Sequence, residues 1–445
     1  MAPRLVIAAI LAFVGDPLFG QTTNGLNGIY LIDLPAALRL AGAHNLDIHI
    51  ARQRLAEARA NYESGLWQFL PWLEPGVSYR RHDNLIQGVE GRIIEAHKES
   101  YAVGPSLSGQ LDLGDAIYKN LASRQLVKAS DYALESQRQD AVLAAAQGYF
   151  DLAKARSSAE VAREAVGIST NYSRQVEQAV ASGIAFKGDA LRVQVETERN
   201  FLILRQALEQ QRLASARLAQ TLRLDLSLEL TPRENELAAL SLIETNVTLE
   251  SLVAQAIASR PEIKQSRALV QAARDSRQGA VYGPLIPALG AQVFAGGLGG
   301  GQDGLPRSFG ESEDYQVTLG WRIGPGGLFD QGRIHGSESR LQIARLTHEK
   351  LIDEITRQVI ESHSRVRSLT DQIATAQRAI RAAQESLRLS QQRKEFGVGA
   401  VLETVQAEQE LTRARLDLVN AIAERNKAEY ALQKAIGAIS AGAKR

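Results

Sequence analysis

Between positions 352 and 390 apolar or small residues recur in alternating steps of three and four. They are Ile352, Ile355, Val359, Ser362, Val366, Leu369, Ile373, Ala376, Ile380, Ala383, Leu387 and Ser390. A seam of this period predicts one unbroken helix with a stripe buried against a partner. The seam alone spans ~57 Å, and a helix over 331–395 would reach ~100 Å. A second long helix is expected over 115–181, where Val161, Ala165, Ile168 and Tyr172 keep the same spacing. Return helices are expected over 189–222, with a seam of Phe201, Leu204, Leu208, Leu218 and Leu222, and over 401–436, with Leu411, Leu418 and Ile422. Elsewhere the period falls to two. Tyr315, Val317, Leu319 and Trp321 alternate with Gln316, Thr318, Gly320 and Arg322, the pattern of a strand with two unlike faces. Strands are expected over 76–83, 101–111, 288–296 and 315–323. The run Gly299-Gly300-Gly301-Gln302-Asp303-Gly304 reads as loop.

The chain is one plan written twice, about 215 residues apart. No proline occurs between 106 and 231 or after 325, so each long hairpin is free of helix breakers. Ahead of each lies a short helix, a bend and a second helix of about six turns. Leu34, Asn45, Asp47 and Ile48 correspond to Leu249, Arg260, Glu262 and Ile263; Arg52, Ala58 and Arg59 correspond to Arg267, Ala273 and Arg274. The predicted layout is a signal segment 1–20, an N-terminal segment 21–33, and a first repeat 34–224. A linker 225–246, a second repeat 247–437 and a tail 438–445 complete it. In each repeat the leading and return helices together match the length of the uninterrupted one. A continuous rod against two stacked shorter rods is therefore expected. Four strands cannot close a barrel or cover their own edges, so membrane strands here would require several copies.

Composition narrows the setting. Lys and Arg total 51 against 50 for Asp and Glu, which gives no reason to expect a nucleic-acid partner. There is no cysteine, which rules out disulfides, thiol chemistry and a lipidated N-terminal Cys. Arg4 followed by the apolar run 5–14, broken at Gly15-Asp16-Pro17, reads as a secretory signal too short to span a bilayer. No other stretch approaches a membrane helix, so any membrane-embedded part of the exported chain would be β-structure. The tryptophans Trp67, Trp72 and Trp321 lie in or beside the strands, with Tyr79, Tyr101, Tyr282, Phe294 and Tyr315. They read as an interfacial aromatic belt or as the core of a small soluble sheet.

Each long helix reverses at a glycine-marked turn, 182–189 and 396–403. In both turns an acid stands six residues after the first glycine, Asp189 after Gly183 and Glu403 after Gly397. First-turn acids are favoured by the helix dipole; two such acids are also candidates for charge rings at an aperture. Gly183 and Gly397 are expected in left-handed backbone at helix ends. The seven histidines show no metal-ligand spacing, and no nucleophile elbow, P-loop or dinucleotide fingerprint is present. The expectation is a protein that is not an enzyme and takes no cofactor or metal.

This order of signal, duplicated helices with two strands per half, and paired Gly-x5-acid turns closely resembles the TolC-like family of outer-membrane efflux and export channels. The resemblance covers essentially the whole mature chain. It implies a mainly α protomer that trimerises. Three copies would build a 12-stranded β-barrel in the outer membrane of a Gram-negative-type bacterium, continued by a hollow α-barrel across the periplasm. The region around 225–246, the short helix after it and the tail would form an equatorial collar. It implies passive conduction, with substrate received from an inner-membrane pump through a periplasmic adaptor. It further implies that the turns around Gly183, Ile184, Gly397 and Val398 form the docking tip, that Arg393 matches a basic position common in the family, and that Asp189 and Glu403 ring the aperture. Gln406 stands where the drug-efflux archetype has an acid. A periplasmic adaptor or a structural coiled-coil envelope protein are the competing readings; the two hairpins and the interrupted helix–strand plan count against both.

Overall fold

A computed structural model describes residues 29–234, 236–243, 247–302, 306–395 and 401–439. The expected signal segment lies outside these residues, as do Gly397 and Val398. The first half runs β1 (Ile29–Ile32), α1 (Leu34–His44), α2 (Leu46–Trp67), β2 (Trp72–His82), β3 (Leu85–Gln87), β4 (Ile93–Glu95), β5 (Lys98–Leu111), α3 (Leu113–Ala181), α4 (Lys187–Leu222) and β6 (Glu229–Pro232). The second runs α5 (Leu249–Ser259), α6 (Pro261–Tyr282), β7 (Ala288–Gln302), β8 (Ser308–Gly320), α7 (Gln331–Glu395) and α8 (Val401–Ala435).

The helix starts follow local chemistry. Asp33 Oδ1 accepts the Ala36 N–H at 2.7 Å and caps α1. Asn45 Oδ1 accepts the Asp47 N–H at 2.8 Å and starts α2 one residue after α1 ends, producing the expected bend. Thr248 caps α5, and Pro261 stands at the start of α6, where a missing N–H costs nothing. The long rods pack as their lengths require: α3 runs against α2 and then α4, and α7 against α6 and then α8. The halves meet where α3 also touches α6 and α8. Every residue of the Ile352–Ser390 seam is at least half-buried. Phe201 of the expected α4 seam is exposed; in that part of α4 the buried positions are Val193, Glu196 and Thr197.

Each repeat has its own core at the level of its short leading helix. One gathers Ala37, Ala41, Phe150, Leu152, Leu218 and Leu222; the other gathers Leu252, Ala256, Ile355, Val359, Leu432 and Ile436. The pairs Ala37/Leu252, Ala41/Ala256, Leu218/Leu432 and Leu222/Ile436 preserve the repeat offset. The segment before α1 and the linker add a parallel pair absent from the sequence reading, Ile29–Ile32 with Glu229–Pro232. A buried polar clasp holds the rest of the linker. Asn426 Oδ1 accepts the Leu240 N–H at 2.8 Å, and its Nδ2 donates to the Ala238 carbonyl at 2.8 Å. Glu429, also buried, accepts the Leu242 N–H at 3.3 Å and pairs with Arg425 at 3.2 Å.

The four long strands form one antiparallel sheet in the order β2-β5-β7-β8. β5, β7 and β8 are longer than expected at their outer ends, β2 begins earlier at its helix end, at Trp72, and β8 stops at Gly320, before Trp321 and Ile323. β3 and β4 pair in a small separate hairpin between β2 and β5. The glycine run at 299–301 is strand and not loop. The reason is steric. Tyr101 and Phe309 stack at 5.9 Å across Gly299, where a Cβ would lie 2.5 Å from the tyrosine ring and 2.7 Å from the phenylalanine ring. Glycine lets two rings from flanking strands meet over the strand between them.

Sheet and helices join through another close approach. A Cβ on Gly114, at the start of α3, would sit 1.9 Å from the Gly283 carbonyl oxygen. Backbone cannot yield as a side chain can. Gly114→Ala should therefore lower the stability of the purified protein by about 1–3 kcal/mol or more. Gly167→Ala, at an exposed helical site with nothing within 4 Å, should raise it by about 0.5–1 kcal/mol. Thermal melts of the two variants in detergent check both signs.

Candidate functional site

Two regions can do chemistry with a solute or a partner: the sheet faces and the helix tips. The strand registers pair residues of like parity, Trp72 with Ser108, Ser108 with Gln292 and Gln292 with Gln316. All odd-numbered positions thus share one face. That face carries Leu73, Val77, Tyr79, Val103, Leu107, Val293, Phe309, Tyr315, Val317 and Leu319. The even face carries Glu74, Ser78, Ser106, Ser108, Gln110, Gln292, Asp314, Gln316 and Thr318. The even face is hollowed: two recesses of about 590 and 810 Å³ are lined mostly by its residues. The apolar face is bare, with Val77, Tyr315, Val317 and Leu319 all exposed. A solvated sheet would bury that face; a sheet bounded by lipid on one side and water on the other would not. Among the described residues no helix is long and apolar enough to cross a membrane.

Aromatic side chains gather at both ends of the sheet. Trp67, Trp72 and Trp321 stand exposed at the junction with the helices, and Trp321 Nε1 donates to the Leu285 carbonyl at 3.1 Å. Tyr79, Tyr101 and Phe309 lie towards the opposite end, where Tyr79 pairs with Tyr101. The sequence reading located the first group but not the pairing of the second.

At the first tip Gly183 has φ +73°. The Ile184 N–H donates to the Ala179 carbonyl at 2.8 Å and the Gly183 N–H to the Val180 carbonyl at 3.0 Å, a Schellman end to α3. Ile184 and Phe186 are then left 83% and 82% exposed, too bare for residues of their size unless something covers them. Asp189 sits in the first turn of α4 beside Arg192, 3.6 Å away. At the second tip Arg393 Nη1 donates to Glu403 Oε2 at 3.0 Å, tying the end of α7 to the start of α8. The structure thus brings Arg393 and Glu403 together and gives Asp189 only a local neighbour.

The tips differ in packing. Val405 joins Tyr172, Val176 and Val193 in a shared cluster, whereas its counterpart Leu191 is exposed. Burial pushes the Tyr172 hydroxyl above the usual range, so it stays neutral. A polar contact that sequence reasoning missed lies just above. Gln409 Nε2 donates to the buried Glu196 at 2.6 Å, linking the two hairpins. Its signal was available: Glu196 stands three residues after the buried Val193, in phase with the packed stripe. Among the described residues no cluster of His, Asp or Glu could hold a metal.

The tip residues should differ in their effect on folding. Gly183→Ala forces a left-handed backbone on a residue with a Cβ and should cost ~1 kcal/mol. Arg393→Ala breaks an exposed ion pair and should cost less than ~0.5 kcal/mol. Denaturant titration of the purified protein distinguishes them.

The profile of the outer membrane efflux protein family matches residues 37–222 and 252–438, one block for each half of the duplicated plan. The solvent efflux pump outer membrane protein SrpC of Pseudomonas putida is 24% identical over 424 residues, which cover 91% of this chain and 85% of SrpC. Among solved structures, a membrane protein from Pseudomonas aeruginosa superposes with a TM-score of 0.78 at 21% identity, covering 91% of this chain and 93% of the other. The open state of the MtrE outer membrane channel of Neisseria gonorrhoeae superposes with a TM-score of 0.72 at 19% identity, covering 91% and 88%. With both repeats matched, this chain belongs to the outer membrane efflux protein family.

Proposed function

We propose that three copies of the chain close a common barrel in the outer membrane and form a passive conduit for efflux. The observation that carries this reading is the sheet. It has two unpaired edges, a bare apolar face and a hollowed polar face, and it stands on helical rods of ~100 Å. Three such sheets supply twelve strands, and the polar faces then line water while the apolar faces meet lipid. The rods prolong the wall into the periplasm. The bare Ile184 and Phe186, with residues 396–400, are the surface offered to a periplasmic adaptor. The adaptor connects the duct to an inner-membrane pump, which supplies the energy and chooses the cargo. SrpC is named for solvent efflux; the water-lined wall inferred here would pass small solutes of many kinds.

Carboxylates near the narrow end act on ions. Asp189 and Glu403, repeated three times, place negative charge around the tip, and Arg393 offsets part of it. Cations should therefore pass more readily than anions. In planar bilayers the purified protein should give discrete conductance steps and run as a heat-modifiable trimer from outer-membrane fractions. A monomer that stays soluble without detergent and passes no ions would defeat the proposal. Replacing Asp189 with Asn and Glu403 with Gln together should lower the cation-to-anion permeability ratio. An unchanged ratio removes these two residues from the conduction path.

A further inference from the structure

The sheet stops at two bare edges, β2 and β8, and every neighbouring pair within it is antiparallel. β2 and β8 therefore run in opposite directions. β8 of one copy can continue into β2 of the next as another antiparallel pair. The outer halves of these edges carry opposite charge. β2 carries Arg80 and Arg81 near its end; β8 carries Glu311, Glu313 and Asp314. Parity places Arg81 with Glu311 and Glu313 on the apolar face, and Arg80 with Asp314 on the polar face. Acids on a lipid-facing surface are costly when left unpaired. Glu311, Asp314 and Arg80 have no hydrogen-bond or ion-pair partner among the described residues. Glu313 accepts only the Tyr315 hydroxyl, at 2.9 Å. Arg81 is held by Asp83 at 2.8 Å, yet its side chain is 57% exposed.

Geometry limits how the edges can meet. One hydrogen-bonded row crosses the chain from Trp72 to Gln316. In a closed threefold barrel each copy must advance this row by an even number of residues, because an odd step would exchange the faces. The advance must run outward from Trp72, since a step the other way would set Gln316 against α2. Steps of four and six tilt the strands by about 35° and 45°, the range of outer-membrane barrels; smaller or larger steps fall outside it. At four, Arg81 meets Glu311, but Glu313 faces Tyr79 and Arg80 faces Ser312. At six, Arg81 meets Glu313, Arg80 meets Asp314, Tyr79 meets Tyr315 and Val77 meets Val317. Glu311 then lies level with Asp83, past the end of β2 and diagonal to Arg81. Only the step of six gives both arginines an acid directly opposite.

Resting on the trimeric reading above, we propose that β8 pairs with β2 of the next copy with Gln316 opposite Ser78, held by Arg81–Glu313 on the lipid side and Arg80–Asp314 on the water side. The seam between copies is thus read by charge, and its partner is a second copy of this chain.

The absence of native cysteine makes the test direct. Double variants Val77→Cys/Val317→Cys and Ser78→Cys/Gln316→Cys probe the step of six, one on each face. Val77→Cys/Tyr315→Cys and Ser78→Cys/Asp314→Cys probe the step of four. Opposed Cβ atoms at ~5 Å come within disulfide reach on at least one face. Under mild oxidation at least one of the first two should yield covalent dimers and trimers on non-reducing gels, and neither of the last two should. The reverse result overturns the register. So does a lack of linkage in all four while lysine cross-linking still captures a trimer. If the cysteine-free parent itself gives no cross-linked trimer, the conduit reading fails before the register is reached. Independently, Arg81→Glu should cut the heat-resistant trimer fraction by about tenfold, and adding Glu313→Arg should restore it. A double swap no better than the single change overturns the ion pair.

Discussion

Backbone N–H and C=O groups cannot be left unpaired where water is excluded. That constraint organises this molecule. One chain supplies a sheet with both margins open, and neither margin is blunted by a helix or a bulge. The even residues that line the hollow side are mostly polar; the odd residues of the inner and middle sheet are apolar, and charge appears on that side only towards the outer end. A chain built this way leaves both margins, β2 and β8, without a strand beside them. The helices inherit the consequence. α3 leaves β5 after one residue, and α7 follows β8 after ten residues, so whatever circle the strands make, the rods continue.

The duplicated plan gives the rods two independent anchors. Each repeat buries small and branched residues around its short leading helix, and corresponding positions fill corresponding places in the two cores. Alanine dominates the first and larger aliphatic residues the second, so the packing differs while the scheme persists. Between the cores, α3 and α8 face each other through charge: Asp151 meets Lys427 at 2.8 Å and Glu164 meets Arg415 at 2.7 Å. These contacts are partly exposed and add little to stability. Their worth is in register, since a slip along the rods would mismatch them.

Much of this was legible from spacing alone. Heptad steps and the lack of proline fixed both long helices and their return partners to within a few residues, because burial along a rod imposes a strict period. The glycine before Asp189 marked the first tip, and Gly183 has the left-handed backbone expected of it. What escaped was non-local. The Gly299–Gly301 stretch has no strand propensity of its own; it is strand because Tyr101 and Phe309, on the two flanking strands, need the space above it. The β1–β6 pair joins segments on opposite sides of the whole first repeat, and neither has enough length to announce itself. Glu196 and Asn426 look like ordinary helix-surface residues until the facing element is known.

The two hairpins of one chain are not interchangeable at their ends. Val405 is packed where Leu191 is bare, and the Arg393–Glu403 ion pair ties α7 to α8. A ring of three chains would therefore expose six ends of two alternating kinds. An encircling protein with six identical subunits would have to tolerate two chemistries in turn. One with three would find every second end sufficient.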